Sequence, residues 1–218
     1  MQVNKFDDLQ LFVGDTVDQI MELIDSKDGY VHIALTGGST PKVIYSELAD
    51  EDIDFDRVHF YVLDERYVPM ENGDSNAGMI KNTLFEGGDL PDSFVKFDTS
   101  KSMRDALTDF ESKMPDKFDL ILLGVGPDGH IASLFPGSSA LYSMDRVVQA
   151  ETEEFAVRER LSIGMEPIMN ADKILVVLSN KPTALEAWES GERDMNDWPA
   201  MNLLMHDNVE VNYFQDKE

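Results

Sequence analysis

The amino-acid sequence predicts an α/β protein with a doubly wound, mainly parallel sheet and helices on both of its faces. Strand-like and helix-like segments alternate along the chain, as they do in sheets built from strand–helix–strand units. The apolar runs at 118–123 and 173–178 have the length and aliphatic content of strands that are buried on both faces. No repeat, linker or break in composition divides the 218 residues, so we predict a single domain spanning residues 1–218.

The period of the apolar residues predicts the elements in chain order. Apolar side chains recur every three or four residues over 6–24, which is typical of an amphipathic helix that packs by one face. Short aliphatic or β-branched runs predict strands, and capping residues such as Asp74 or Ser75 ahead of helical periodicity predict helices. The predicted strands are 30–35, 58–63, 118–123, 146–149, 160–163 and 173–178; the other predicted helices are 43–48, 74–84, 103–114, 165–170 and 182–188, with a loop at 86–96 and an unassigned acidic segment at 151–159.

The charge and the composition exclude several classes of protein. The formal net charge is −25, from 43 acidic and 18 basic residues, and it opposes binding to nucleic acid or to an anionic membrane. The absence of cysteine excludes disulfides, thiolate metal sites and cysteine nucleophiles. The sequence has no long apolar run and no apolar amino-terminal segment, so we expect a cytoplasmic protein. An anionic substrate would need a local cluster of Lys and Arg that acts against the global charge.

A glycine-rich loop follows the first predicted strand. Gly37, Gly38, Ser39 and Thr40 lie between that strand and a helical pattern, with Pro41 suited to the first turn of the helix. Unpaired amides and the helix dipole make this arrangement a phosphate-binding site, and we expect Ser39 or Thr40 to cap the helix. The alternative is a capped helix start with a tight turn and no ligand.

Two further predicted strands also end in polar loops. Asp64, Glu65 and Arg66 follow the strand at 58–63, and we expect these charged groups to pair with one another or with a ligand, the alternative being a surface ion-pair cluster. Asp128 and His130 follow the central strand in a glycine-rich loop and could transfer protons, unless the loop is only a tight turn with an exposed histidine. Since the carboxyl ends of parallel strands share one edge of a sheet, the three loops predict one pocket in an enzyme that acts on a small phosphorylated substrate.

These loops resemble those of a known family. The segments LTGGSTP, LDERYVP with a following DSN, and LLGVGPDGHIASLFPGS are similar to those of 6-phosphogluconolactonases, in the superfamily shared with glucosamine-6-phosphate deaminases/isomerases. The resemblance extends over 9–213 and implies a Rossmann-like fold without a cofactor. It implies hydrolysis of 6-phospho-D-glucono-1,5-lactone in the pentose phosphate pathway, by a monomer or a homodimer.

The resemblance also implies roles for individual residues. His130 would act as general base on the attacking water, with Asp128 orienting the imidazole or binding substrate hydroxyls. Asp64 is a second candidate for the hydroxyls, and Arg66 would stabilise the oxyanion or the phosphate. The 6-phosphate would be held by Gly38, Ser39, Thr40, Arg160 and Lys181.

Two other functions remain open at this point. Deaminases of the superfamily typically carry Asp-Glu-Tyr where this chain has Asp-Glu-Arg at 64–66, and they carry a glutamate where it has Phe135. Both differences favour the lactonase. The spacing within 161–170 favours an isomerase-like protein, in which Asp64 would be the base and His130 would open the ring. Leu178 stands where both branches usually carry a glycine, so it departs from both patterns on the phosphate side. A non-catalytic sugar-phosphate sensor is the third possibility.

No spacing of ligands predicts a metal and no fingerprint predicts NAD. Structural roles are predicted for His32, His59, His206, Trp188 and Trp198.

Overall fold

The computed structural model describes residues 2–217, which form ten strands, six α-helices and two 3₁₀ segments. The strands are β1 (Gln2–Phe6), β2 (Val31–Leu35), β3 (Val58–Val62), β4 (Asp64–Arg66), β5 (Phe94–Val95), β6 (Leu120–Leu123), β7 (Val147–Glu151), β8 (Glu159–Ile163), β9 (Lys173–Ser179) and β10 (Val209–Phe214). The helices are α1 (Leu9–Ser26), α2 (Ser39–Leu48), α3 (Asn76–Thr83), α4 (Met103–Glu111), α5 (Met165–Met169) and α6 (Pro182–Ser190), and the 3₁₀ segments are Ser139–Tyr142 and Pro199–Met205.

Seven of the strands form one parallel sheet. Its order is β1-β10-β9-β6-β2-β3-β5, and every neighbouring pair is parallel. The remaining strands form a second, antiparallel sheet in the order β4-β8-β7. This small sheet continues from the carboxyl end of β3, because β4 begins two residues after β3 ends.

The large sheet is buried on both faces, as predicted for a doubly wound fold. Successive side chains of β6 enter two different apolar clusters: Ile121 and Leu123 pack on one side, and Leu120 and Leu122 pack on the other. Helices α1, α2 and α3 supply apolar side chains to the second cluster, whereas α4, α5 and α6 supply them to the first. The predicted α/β class, with a mainly parallel sheet between helices, is therefore confirmed.

Several predicted boundaries are wrong. The helix predicted from residue 6 begins at Leu9, where the Asp8 side chain accepts hydrogen bonds from the first-turn amides, and the residues before it form β1. The predicted loop at 86–96 contains β5, and the charged segment 64–66 is a strand. Each of these missed strands is paired with a strand that is distant in sequence, so its local composition did not reveal it.

No helix within residues 2–217 is long and apolar enough to cross a lipid bilayer. Trp188 and Trp198 are buried, as their predicted packing role requires.

His32 lies on β2 beside His59 of β3, and the two residues are cross-strand neighbours. Its Nδ1 atom is 3.0 Å from the hydroxyl of Tyr61, and its ring centroid is 5.3 Å from that of His59. Burial and, to a smaller extent, the charge of His59 lower the pKa of His32 below the ordinary value of 6.5, while Asp119 opposes the shift. The folded protein therefore favours the neutral imidazole.

This preference predicts a pH dependence of stability. Because the unfolded chain binds a proton at His32 more readily, the free energy of unfolding is expected to fall as the pH decreases from 6.5 towards the lower folded-state pKa. The variant His32→Gln should show a shallower decrease in its urea midpoint between pH 8 and pH 5, whereas His59→Gln should keep most of it. Equal slopes in His32→Gln and the unaltered protein would contradict this assignment.

Candidate active site

A cleft of about 220 Å³ lies beyond the carboxyl ends of the central strands of the large sheet. All three loops singled out in the sequence contribute to it, together with β8 and the residue ahead of α6. Of the predicted site residues, Asp128 alone does not line the cleft, and it contacts His130 instead. The predicted residues that line it are Gly37, Gly38, Ser39, Thr40, Asp64, Arg66, His130, Arg160 and Lys181.

The glycine loop leaves the start of α2 open. Gly38 is the N-cap residue, and no side chain caps the helix, so the predicted capping role of Ser39 or Thr40 is wrong. Both residues lie in the first turn because Gly38 has a φ of 117°, a conformation that favours glycine and turns the chain into the helix one residue earlier. A Cβ atom on Gly37 would overlap the side chain of Asn76. The first-turn amides of α2 therefore remain available to an anion at the edge of the cleft.

The Glu65 carboxylate caps the amino terminus of α3. It forms no ion pair with Arg66, so the expectation that the charged groups of 64–66 pair with one another or with a ligand is wrong for this residue. Its carboxylate accepts hydrogen bonds from the amides of Arg66, Asn76 and Ala77 at 2.7, 2.7 and 2.8 Å, and from the Ser75 hydroxyl at 3.0 Å. Burial raises the pKa of Glu65, although these hydrogen bonds favour the carboxylate. Glu65 thus fixes the amino terminus of α3, from which Asn76 reaches the cleft.

Removing this carboxylate should destabilise the fold. Glu65→Ala leaves two amides of α3 buried without an acceptor, so we expect the free energy of unfolding to fall by about 2–4 kcal/mol. Urea denaturation would measure the change. Glu71→Ala, which removes the same charge from an exposed position nearby, is the matched control and should change stability little. Similar losses in the two variants would refute the capping role.

Asn76 and Ser133 are site residues that the sequence analysis missed. The Asn76 side chain donates to the Asp64 carbonyl at 2.7 Å and accepts from Arg66 Nη1 at 2.8 Å. The Ser133 hydroxyl donates to Asp64 Oδ2 at 2.7 Å, so the Asp64 carboxylate is held in place inside the cleft. The only sequence signals were the Asp-Ser-Asn motif itself and the position of Ser133 three residues after His130.

Three cations face the cleft. Arg66 and Arg160 are directly opposite each other in the β4–β8 pair, and Arg160 Nε donates to the Val157 carbonyl at 3.0 Å. Burial and the adjacent charge of Arg66 lower the pKa of Arg160, and burial lowers the pKa of Lys181. Lys181 Nζ donates to the Val125 carbonyl at 2.5 Å. Within residues 2–217 none of the three forms a salt bridge with a carboxylate, so their juxtaposition favours binding of an anion.

His130 and Asp128 form a proton-transfer pair. His130 Nδ1 lies 2.5 Å from Asp128 Oδ1, and since a carboxylate only accepts, the hydrogen is on Nδ1. Burial alone would raise the pKa of Asp128, but the hydrogen bond and the charge of His130 bring it below its ordinary value. A side chain at Gly126 would overlap the imidazole, so this loop needs glycine there. With Nδ1 occupied, Nε2 is the nitrogen left to accept a proton in the cleft.

Two phenylalanines flank the imidazole. The ring centroid of His130 is 4.8 Å from that of Phe135 and 5.5 Å from that of Phe155. Phe155 belongs to the acidic segment 151–159 that the sequence left unassigned, and it lines the cleft between His130 and Arg160. These rings reduce the access of water to the side of the imidazole, which strengthens electrostatic interactions there.

Comparisons with known proteins show several similarities. Residues 6–211 match the family model described as glucosamine-6-phosphate isomerases/6-phosphogluconolactonase. A protein of Dictyostelium discoideum named probable 6-phosphogluconolactonase is 33% identical over 195 residues, which cover 83% of each chain. The structure of 6-phosphogluconolactonase from Plasmodium vivax is 26% identical, with a TM-score of 0.82 over 99% of this chain and 91% of that one.

The same fold also occurs in the deaminase branch. The structure of a monomeric glucosamine-6-phosphate deaminase superposes with a TM-score of 0.83 over 99% of this chain and 97% of that one. Its sequence identity is 21%, so this likeness concerns the fold alone.

Proposed function

Because this chain belongs to the family of glucosamine-6-phosphate isomerases and 6-phosphogluconolactonases, we propose that it hydrolyses 6-phospho-D-glucono-1,5-lactone to 6-phosphogluconate. The observation that carries the proposal is a free His130 Nε2 in the same cleft as three cations without carboxylate partners among the described residues. The first feature suits hydrolysis, and the second suits a phosphorylated substrate. The names of the relatives support the choice of the lactone.

The phosphate end of the substrate is assigned to the glycine loop and the cations. The open first turn of α2, with Gly38, Ser39 and Thr40, supplies amide donors and the positive end of the helix dipole. Arg160 adds a planar fork of donors, and Lys181 adds a point charge. Binding of the phosphate would neutralise the repulsion between Arg66 and Arg160, which is a further reason to place it beside them.

The lactone end is assigned to His130. Nε2 takes a proton from water while the water oxygen attacks the lactone carbonyl carbon, and a tetrahedral oxyanion forms. The bond between that carbon and the ring oxygen then breaks, and the imidazolium returns the proton to the departing oxygen. The carboxylic acid product ionises and releases one proton to the solution. Asp128 keeps the hydrogen on Nδ1 and stabilises the transient imidazolium.

Arg66 and Asp64 complete the assignment. Arg66 Nε is buried without a partner, and its Nη1 atom is held by Asn76, so the guanidinium is a fixed donor for the oxyanion or the phosphate. Asp64, held by Ser133, offers its carboxylate to the hydroxyl groups of the sugar. Phe135 stands where the deaminases carry a glutamate, and its neutral ring beside His130 cannot accept a hydrogen bond from the imidazole as a carboxylate would, which favours the lactonase over the deaminase.

Proton release from freshly prepared 6-phosphogluconolactone tests the proposal, with ammonia release from glucosamine 6-phosphate measured in parallel. We expect acid production well above the spontaneous rate and no ammonia. Unphosphorylated glucono-1,5-lactone should be a poor substrate because it lacks the anion. Ammonia release would assign the deaminase, and thermal stabilisation by both sugar phosphates without any turnover would assign a sensor.

The partner of the site is thus a small phosphorylated sugar. We propose that the enzyme works in the cytoplasm as a single-domain monomer or homodimer, since phosphorylated sugars do not cross membranes freely. Light scattering coupled to size-exclusion chromatography would measure the oligomeric state.

A further inference from the structure

The turn that carries Asp128 and His130 packs against Trp198, which directly precedes the 3₁₀ segment Pro199–Met205. Gly129, between the two residues, has a φ of 81°, and a Cβ atom there would overlap Cγ, Cδ2 and Cε2 of Trp198. These three atoms lie along the middle of the indole, so the glycine sits directly against the aromatic ring. The absence of a side chain at position 129 is what permits this close approach.

Backbone hydrogen bonds attach the same turn to the same segment. The Ala200 amide donates to the Gly129 carbonyl at 2.9 Å. Within the turn, the Gly126 amide donates to the His130 carbonyl at 2.8 Å, and the Gly129 amide donates to the Gly126 carbonyl at 3.1 Å. Residues 198–200 therefore hold the central peptide of the turn from outside, whereas the turn's own bonds only close it.

The indole itself is held by packing. Trp198 is 6% exposed, although the residues before it at 191–197 are all exposed, and its Nε1 atom has no hydrogen-bond partner. The guanidinium of Arg193 lies over the ring with its central carbon 4.2 Å from the centroid. A buried indole usually finds a hydrogen-bond partner for its N–H group. Since this one has none, we infer that Trp198 acts here through the packing of its ring and not through hydrogen bonding.

We propose that Trp198, covered by Arg193, is a positioning residue that fixes the geometry of the Asp128–His130 pair. The proposal rests on the proposed lactonase function for its effect on rate, but its structural part does not depend on the substrate. A ring pressed against Gly129 limits movement of the turn, and movement of about 1 Å at a proton-transfer group can reduce a rate about 100-fold.

The first test compares two buried tryptophans. Trp198→Leu is expected to lower kcat about 10- to 100-fold with a KM that changes less than about twofold, because the phosphate contacts stay in place. Trp198→Phe, which keeps a flat ring, should recover most of the rate. Trp188→Leu is the matched control, since Trp188 is also buried with an unpartnered Nε1 but lies in α6, whereas the three atoms nearest to a Cβ on Gly129 all belong to Trp198. It should lower the melting temperature and leave kcat unchanged.

The second test needs no substrate. A histidine Nδ1–H group in a short hydrogen bond to a carboxylate gives a proton NMR signal at low field, which His130→Gln would identify by its loss. We expect this signal in the unaltered protein and in Trp188→Leu, and its broadening or loss in Trp198→Leu. If Trp198→Leu does not fold, Arg193→Ala at the exposed cover should weaken the signal and lower kcat about two- to fivefold with an unchanged melting temperature.

The outcomes separate this proposal from the proposed function. An unaltered protein without lactonase activity refutes the function, while the NMR comparison still decides the role of Trp198. A folded Trp198→Leu variant with the low-field signal intact and kcat within twofold would overturn the positioning role. Equal losses of kcat in Trp198→Leu and Trp188→Leu would also overturn it, since they would report general loosening of the core.

Discussion

Replacing His130 with glutamine is expected to lower kcat for the phosphorylated lactone about 10²- to 10⁴-fold, the usual contribution of a general base. Glutamine has nearly the same size as histidine and can still donate to Asp128, but it cannot accept a proton from water. KM should change little, because the phosphate-binding cations lie on other segments of the chain. Continuous measurement of proton release would give both constants.

Two further variants provide an intermediate case and a control for this prediction. Asp128→Asn should give an intermediate rate, because an amide can present N–H to Nδ1 and favour the wrong tautomer. His59 lies near the amino end of β3, away from the cleft at the carboxyl ends of the strands, so His59→Gln should retain full activity. A rate in His130→Gln close to that of the unaltered protein would refute the assignment of the base and direct attention to Asp64.

Replacing Arg160 with alanine is expected to raise KM for the phosphorylated lactone about 10- to 100-fold, since a charged hydrogen bond to an anion contributes about 1.5–3 kcal/mol. The rate with unphosphorylated glucono-1,5-lactone should stay nearly constant. The same variant should not be less stable without substrate, because it removes the repulsion between Arg160 and the facing Arg66. Saturation kinetics on the two lactones and a urea titration would measure these effects.

The neighbouring Arg158 provides the control. It is exposed and pairs with Glu151 and Glu153, so Arg158→Ala should leave KM unchanged. Arg160→Lys keeps the charge without the planar fork and should give an intermediate KM. An equal rise of KM for both lactones in Arg160→Ala would show that Arg160 serves the ring and not the phosphate.

The central sheet could be predicted well because the local composition of its strands is enough to identify them. All four residues of β6 and the five central residues of β9 are apolar and buried, a pattern typical of strands that are covered on both faces. The polar loops after β2, β3 and β6 were recognisable because glycine or ionisable residues follow these strands at one shared edge of the sheet.

The missed elements depend on contacts that are distant in sequence. Strand β4 is three charged or polar residues long, and it is a strand only because β8 pairs with it. Similarly, Phe155 lies in an acidic stretch, and nothing in its neighbours indicates that the β7–β8 connection brings it against His130. The capping error at α2 has a local cause, since Gly38 starts the helix one residue earlier than a serine or threonine cap would.

The pairing of β1 with β10 has a consequence for biosynthesis. Residues 2–6 form an edge strand whose partner, 209–214, is synthesised much later. At about 5–20 residues per second, roughly 10–40 s of synthesis separate the two strands, and during this time β1 has no strand to join. This side of the large sheet therefore forms only after β10 has been made, and until then β9 presents an open edge that other chains can pair with.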